Sequence, residues 1–200
     1  MIDNNTVGFW VFNKTGNIPN SAVGKSAIAV ANDLVPHGGL TQVDGHCDYA
    51  IQGDGSTGYY TSANSTGFPV GASEREVDFL FTGNAKGVAQ DMIVFGTNST
   101  TDMVMLGLVT TNLSIYLNGT TYDTGFVIET DRIYLLSVTY NGSVFSVYMN
   151  GNKIYSVNIT LVTGLSVVTI AKYNQGSSSY SSCIIPFFII CILYLVHTVK

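Results

Sequence analysis

The sequence predicts an all-β fold, an antiparallel sandwich of two sheets, and three observations predict it. Short runs of β-branched and aromatic residues recur from end to end, separated by clusters of Gly, Asn, Ser and Asp. Asn-Gly pairs at 118–119, 141–142 and 150–151 stand between such runs; this dipeptide supplies the positive φ that a two-residue type I′ hairpin needs at both central positions. No window keeps an apolar stripe at helical spacing, and residues 26–34 alone read as either a short helix or an irregular strand. Two hundred residues suit one sandwich domain spanning 1–200.

Taken in order, the predicted strands are 7–12, 49–52, 58–61, 76–82, 92–95 and 103–109. They continue with 113–117, 132–140, 144–149, 153–159, 167–173 and 184–196. The firmest segment is 132–159, which reads as three antiparallel strands joined by tight turns at Asn141-Gly142 and Asn150-Gly151. Within it Val144, Ser146 and Tyr148 alternate against Phe145, Val147 and Met149, as in a strand with both faces partly covered. The last strand is ambiguous. Cys183 to Val196 is an unbroken apolar run of fourteen residues, short of the roughly 20 a membrane helix needs. Pro186 and the β-branched residues around it favour a final core strand over 184–196; a membrane tail is the alternative.

Composition narrows the partners. Charged residues are 10% of the chain, with 8 Lys and Arg against 13 Asp and Glu, a net charge of −5. A soluble domain usually carries about 25% charged residues, so Ser, Thr, Asn and Gly must form most of the polar surface. No basic run could neutralise phosphates, and no nucleic-acid partner is expected. Cys47, Cys183 and Cys191 show no metal-ligand spacing and read as small buried hydrophobes, with a bridge from Cys47 to either of the others left open. Eight Asn-x-Ser/Thr sequons begin at Asn4, Asn13, Asn64, Asn98, Asn112, Asn118, Asn141 and Asn158. The first residues lack the pattern of a secretory signal, so the sequons read as a by-product of composition rather than as glycosylation sites.

Several segments resemble a known superfamily. Residues 134–142 (YLLSVTYNG) followed by 147–154 (VYMNGNKI) resemble the strand–turn–strand of laminin-G and pentraxin-like domains. Gly8-Phe9-Trp10-Val11-Phe12-Asn13 looks like the opening strand of that group, and Val43 to Tyr49 like its next segment. The chain thus resembles the concanavalin-A-like lectin/glucanase superfamily over nearly its whole length. The resemblance implies a two-sheet jelly-roll, a final strand beside the first, and a calcium ion or a sugar as the ligands to look for.

Candidate site residues follow from that list. Asp44 and Asp48, with Asp54, could offer oxygens to calcium, although no twelve-residue calcium loop is present; no cofactor is assigned. Tyr59 and Tyr60, with Tyr116 and Tyr122, could be sugar platforms, while Trp10 reads as packed. Glu74, Glu76 and Asp78 share a strand face, and Glu76-Val77-Asp78 is similar to the first half of a glucanase catalytic strand. Phe81 stands where that strand would need its acid, so no catalytic residue is assigned. His37, His46 and His197 form no triad or metal set. The expectation is a non-enzymatic structural or binding module on a surface, such as a virion decoration, fibre or spike, partnered by its own subunits. Its alternatives are a lectin-like glycan-binding domain and a membrane-tethered extracellular glycoprotein.

Overall fold

Polar and apolar residues alternate along most of the chain, and period two leaves the backbone no better arrangement than strands. The computed structural model describes residues 6–12, 16–25, 29, 31–44, 49–83, 90–96, 102–164, 167–171 and 184–191, with 49 and 184–191 described by their backbone. Among these lie β1 (Thr6–Val11), β2 (Leu34–His37), β3 (Leu40–Asp44), β4 (Tyr49–Gly53), β5 (Tyr59–Ser62), β6 (Arg75–Thr82), β7 (Gln90–Gly96) and β8 (Met103–Val109). They continue with β9 (Asn112–Leu117), β10 (Thr120–Val127), β11 (Ile133–Tyr140), β12 (Val144–Met149), β13 (Asn152–Asn158), β14 (Thr169–Ile170) and β15 (Ile184–Cys191). All pairings are antiparallel. One sheet of eight runs β13-β12-β11-β6-β15-β4-β3, with β1 on β15, and one of seven runs β10-β9-β8-β7-β14-β5-β2. The fold is therefore the predicted all-β two-sheet sandwich.

Local chemistry explains the turns. Asn118 and Gly119 take φ of 48° and 88°, and Asn150 and Gly151 take 52° and 80°, the two positive values of a type I′ hairpin. Asn141-Gly142 departs from its expected turn, because only Gly142 has positive φ. There the Asn141 side chain accepts hydrogen bonds from the N–H groups of Ser143 and Val144, at 3.1 and 2.8 Å. That Asx turn lengthens the loop by satisfying it from the side chain. Of the predicted strand at 167–173, Thr169–Ile170 is strand and 172–173 lie outside the described residues; Leu34, the last residue of the ambiguous 26–34 stretch, opens β2.

The C-terminal apolar run contributes an interior strand. β15 has β6 along one side, and β4 followed by β1 along the other. The register shifts between Ile184 and Phe187, around Pro186, where a residue without an N–H is tolerated in an inner strand only at an irregularity. Residues 192–196 lie outside the described residues. No helix among them is long and apolar enough to cross a membrane.

Between the sheets, Tyr60, Ile170, Ile93, Leu106 and Ile115 line up across one inner face, against Val77, Val138, Val147, Phe79 and Leu136 on the other. Trp10 is fully buried, donates its Nε1–H to the Asn32 carbonyl at 3.0 Å, and lies against Phe68. Its ring also covers Gly8, two residues back on the same face, so closely that a Cβ there would run into it.

At one lateral edge the chain crosses twice between sheets, from β2 to β3 and from β4 to β5, and Asp54 locks the two crossings together. Its carboxylate accepts from the N–H groups of Ser56, Thr57 and Gly58 and from the Thr57 hydroxyl, at 2.6–2.8 Å. Thr57 Oγ1 in turn accepts from Gly39 N–H, and Asp54 N–H donates to Gly39 O. Gly38 needs to be glycine, having φ of 63° and the Thr57 backbone against the place a Cβ would occupy. Burial opposes the charge on Asp54, but the hydrogen bonds from Thr57, Gly58 and Ser56 outweigh it and hold the carboxyl well below the usual carboxylate range.

Two outcomes are expected. Gly8→Ala should cost about 1–3 kcal/mol in urea unfolding through overpacking against Trp10, whereas Gly16→Ala, with nothing near its Cβ position, should be neutral. Asp54→Ala should cost about 1 kcal/mol at pH 7, allowing for solvent screening. A carboxyl whose pKa falls on folding stabilises fully above its unfolded value and loses that contribution as pH drops through the folded one. The gap from wild type should therefore hold down to about pH 4 and close only in stronger acid.

Candidate functional site

Register decides which side chains face outward from the seven-stranded sheet. If Tyr60, Ile170, Ile93, Leu106 and Ile115 face the core, then Thr61, Thr169, Val94, Met105 and Tyr116, their neighbours by one, face away. Val35 extends this row on β2, and Thr121 extends it on β10. Two residues along, His37 and Tyr59 pair across β2 and β5, their rings stacked at 4.5 Å, and His37 Nε2 lies 3.0 Å from Thr61 Oγ1. A parallel row runs Asp91, Gly107, Ser114 and Asp123 over β7 to β10. From β5 to β9 the face is about 19 Å wide, at about 4.8 Å per strand.

The middle of this face is shielded and its rim half-exposed. Thr169 is 1% exposed, Ser114 5% and Asp91 6%, while Tyr59, Tyr116, Met105 and His37 are half-buried. The hydroxyl oxygens of Ser114 and Thr169 are buried without a hydrogen-bond partner. A buried polar group left unpaired costs about 1–3 kcal/mol, so two on one face ask for an explanation. Gly107 lies between Asp91 and Ser114, and the chain packs closely there: a Cβ on it would stand 3.3 Å from Asp91 Oδ1 and 2.6 Å from the Gln90 carbonyl oxygen. Asp123, at the exposed margin, is held below the usual carboxylate range by the Gly125 N–H and then by the Asn112 amide. The accessible groups of this surface, the half-exposed Tyr59 and Tyr116 and the exposed Asp123, are equipped to pack on a sugar ring and accept hydrogen bonds from its hydroxyls.

The sequence-derived candidates divide between the two faces. Tyr59 reaches this outer face. Tyr60, adjacent in a strand, must point the other way; it is 1% exposed, packs edge-on against Phe12 at 5.3 Å, and burial pushes its hydroxyl up to about 12. Tyr60 is thus a core residue and not a sugar platform. Tyr116 and Tyr122 separate in the same manner, Tyr122 packing against the core beside Tyr155. Asp44 ends β3, exposed on the edge of the other sheet; Asp48, with His46 and Cys47, lies outside the described residues. Among the described residues no three His, Cys, Asp or Glu side chains come together as metal ligands. Glu76 and Asp78 lie on the outward side of β6, while Phe81 is buried in the core. His37, Asp91, Ser114 and Thr169 escaped the sequence reading, since single polar residues in strands carry no motif; only the register assembles them.

A shallow depression opens elsewhere, beside Arg75. Burial pulls the guanidinium down to about 10, so it remains charged at neutral pH. Its donors are given to the carbonyls of Ser73, Pro69 and Gly71 and to the Thr163 hydroxyl, and it rests on the Tyr140 ring. This arginine ties the 69–73 loop to the 163 loop.

No family model matches the chain, and no curated protein matches it. Solved structures do. Domain 4 of AbnA, a GH43 extracellular arabinanase from Geobacillus stearothermophilus, solved in complex with arabinotriose, is 13% identical with a TM-score of 0.69, covering 94% of this chain and 92% of that one. The binding domain of botulinum neurotoxin serotype D/C is 12% identical with a TM-score of 0.67, covering 97% of this chain and 50% of the toxin chain. A further structure of the toxin's binding domain is described as a complex with SialylT, at 12% identity and a TM-score of 0.66. These likenesses establish the β-sandwich fold. The chain spans nearly all of the arabinanase domain and about half of the toxin binding domain.

The unpaired hydroxyl at Thr169 makes a stability test. Thr169→Val keeps the shape and replaces the orphaned oxygen by a methyl, so it should leave stability unchanged or raise it by about 1 kcal/mol. A loss above that size would show that the hydroxyl has a partner.

Proposed function

We propose that the chain is a non-enzymatic glycan-binding module of the concanavalin-A-like kind, displayed on a virion or another surface. The observation that carries the binding half is the outer face of the seven-stranded sheet, where the half-exposed Tyr59 and Tyr116 share a face with the exposed Asp123. Sugar hydroxyls both donate and accept, so a ligand packed on these tyrosines could also bond the Asp123 carboxylate. The arabinotriose complex of the similar arabinanase domain supports a sugar as ligand. Surface display and self-association are supported by the low charge. They are also supported by two exposed valines, Val109 and Val127, that both pair with Asn112 at one corner of the sheet.

The experiment is a glycan array followed by calorimetry on the full chain. At least one glycan class should bind, Tyr116→Ala should weaken it about tenfold, and Asp123→Asn should weaken it while leaving the fold intact. An array without a single hit would end the binding reading. Sedimentation of the same sample tests self-association, which a strict monomer would exclude.

A further inference from the structure

We infer that the chain carries an acceptor site for N-linked glycosylation at Asn141, in the sequon Asn141-Gly142-Ser143; this site is independent of the glycan-binding reading above. Composition gives the eight sequons no weight as a group, but the fold separates them from one another. Asn4, Asn13 and Asn98 lie outside the described residues. Asn64 Nδ2 donates to the Ala31 carbonyl, and Asn118 Nδ2 donates to the Thr160 carbonyl at 2.7 Å. Asn112 gives its Nδ2 to Asp123, and the hydroxyl of its sequon, on Ser114, is sealed from solvent. Asn158 is exposed but stands within the ladder of β13, paired with Val144.

Asn141 is exposed, it opens the turn between β11 and β12, and its side chain is arranged by residues 141–144 alone. Oδ1 accepts from the Ser143 N–H at 3.1 Å, the Ser143 hydroxyl at 3.2 Å and the Val144 N–H at 2.8 Å. Those bonds hold an Asx turn with the sequon hydroxyl against the amide. They also draw electron density onto Oδ1, which loosens a proton on Nδ2. Nδ2 itself has no hydrogen-bond partner among the described residues. The turn is open, since a Cβ on Gly142 would meet only the Ala72 carbonyl oxygen, at 3.6 Å. In the transfer, Nδ2 bonds to the anomeric carbon of an oligosaccharide carried on a lipid pyrophosphate. The bond from that carbon to the pyrophosphate oxygen breaks, the lipid pyrophosphate leaves, and Nδ2 gives up one proton. The bulky product then stands in solvent at a hairpin tip of the eight-stranded sheet, on strands other than those carrying Tyr59 and Tyr116.

The test sends the full chain through the secretory pathway of eukaryotic cells behind a cleavable leader, collects it from the medium and maps its peptides by mass spectrometry. The peptide containing Asn141 should carry an N-glycan in most molecules, released by peptide N-glycosidase with conversion of that asparagine to aspartate. Ser143→Ala should abolish the modification at Asn141, whereas Ser143→Thr, which keeps the hydroxyl, should preserve it. Secreted chain with Asn141 unmodified would overturn the inference, whatever the occupancy of the other sequons. So would a glycan that persists at Asn141 in Ser143→Ala.

Discussion

Val77, Val138 and Val147 on one sheet press against Ile93, Leu106 and Ile115 on the other, and the remaining structure depends on this contact. Burying such faces is the main favourable term against the entropy of ordering the chain. Because side chains alternate, each strand that gives one face to the core has a second face left over. Where that second face lies mid-sheet it too becomes shielded, as with Val94, Met103 and Thr169. The candidate face is thus the other half of the residues that make the fold.

A sandwich of this kind also has to manage its margins. Strands at the edges expose unpaired backbone groups, and β2, β3, β13 and β10 blunt that in three ways. β2 carries Pro36; β3 and β13 are largely exposed and polar; β10 carries Gly125 with a positive φ of 71° and breaks register after Asp123. On the side closed by β2 and β3, the Asp54 loop joins the sheets through backbone amides, so the crossings need no bulky side chains. That lock also fixes the neighbours of His37 and Tyr59, which makes the corner part of the site's support.

The strands missed in the sequence show what is legible there. Interior strands such as β6, β8, β11 and β12 were readable to within a residue or two, because burial on both sides demands apolar and β-branched residues. The three unread strands, 34–37, 40–44 and 120–127, are all edge strands. An edge strand is paired on one side, so it tolerates Pro36 or the polar Thr120 to Thr124, and its hydrophobic signal fades. Asn118-Gly119 announced the hairpin into β10 even though β10 itself did not read as a strand. The site was less legible than the fold: Tyr59 could be named, but its companions lie on four other strands. No local pattern links Thr169 to Ser114, or His37 to Thr61. Tyr59 and Tyr60 could never have served one face together, a point that period two already contained.

The unpaired oxygens at Ser114 and Thr169 connect stability with binding. A core selected for stability alone would place valine or alanine there, since an orphaned hydroxyl is a cost that a methyl avoids. Both positions lie on the face turned away from the sandwich core, where packing between the sheets does not dictate their chemistry. Both oxygens are also sealed from solvent, so they bear on binding only through the sheet that carries the half-exposed Tyr59 and Tyr116 and the exposed Asp123.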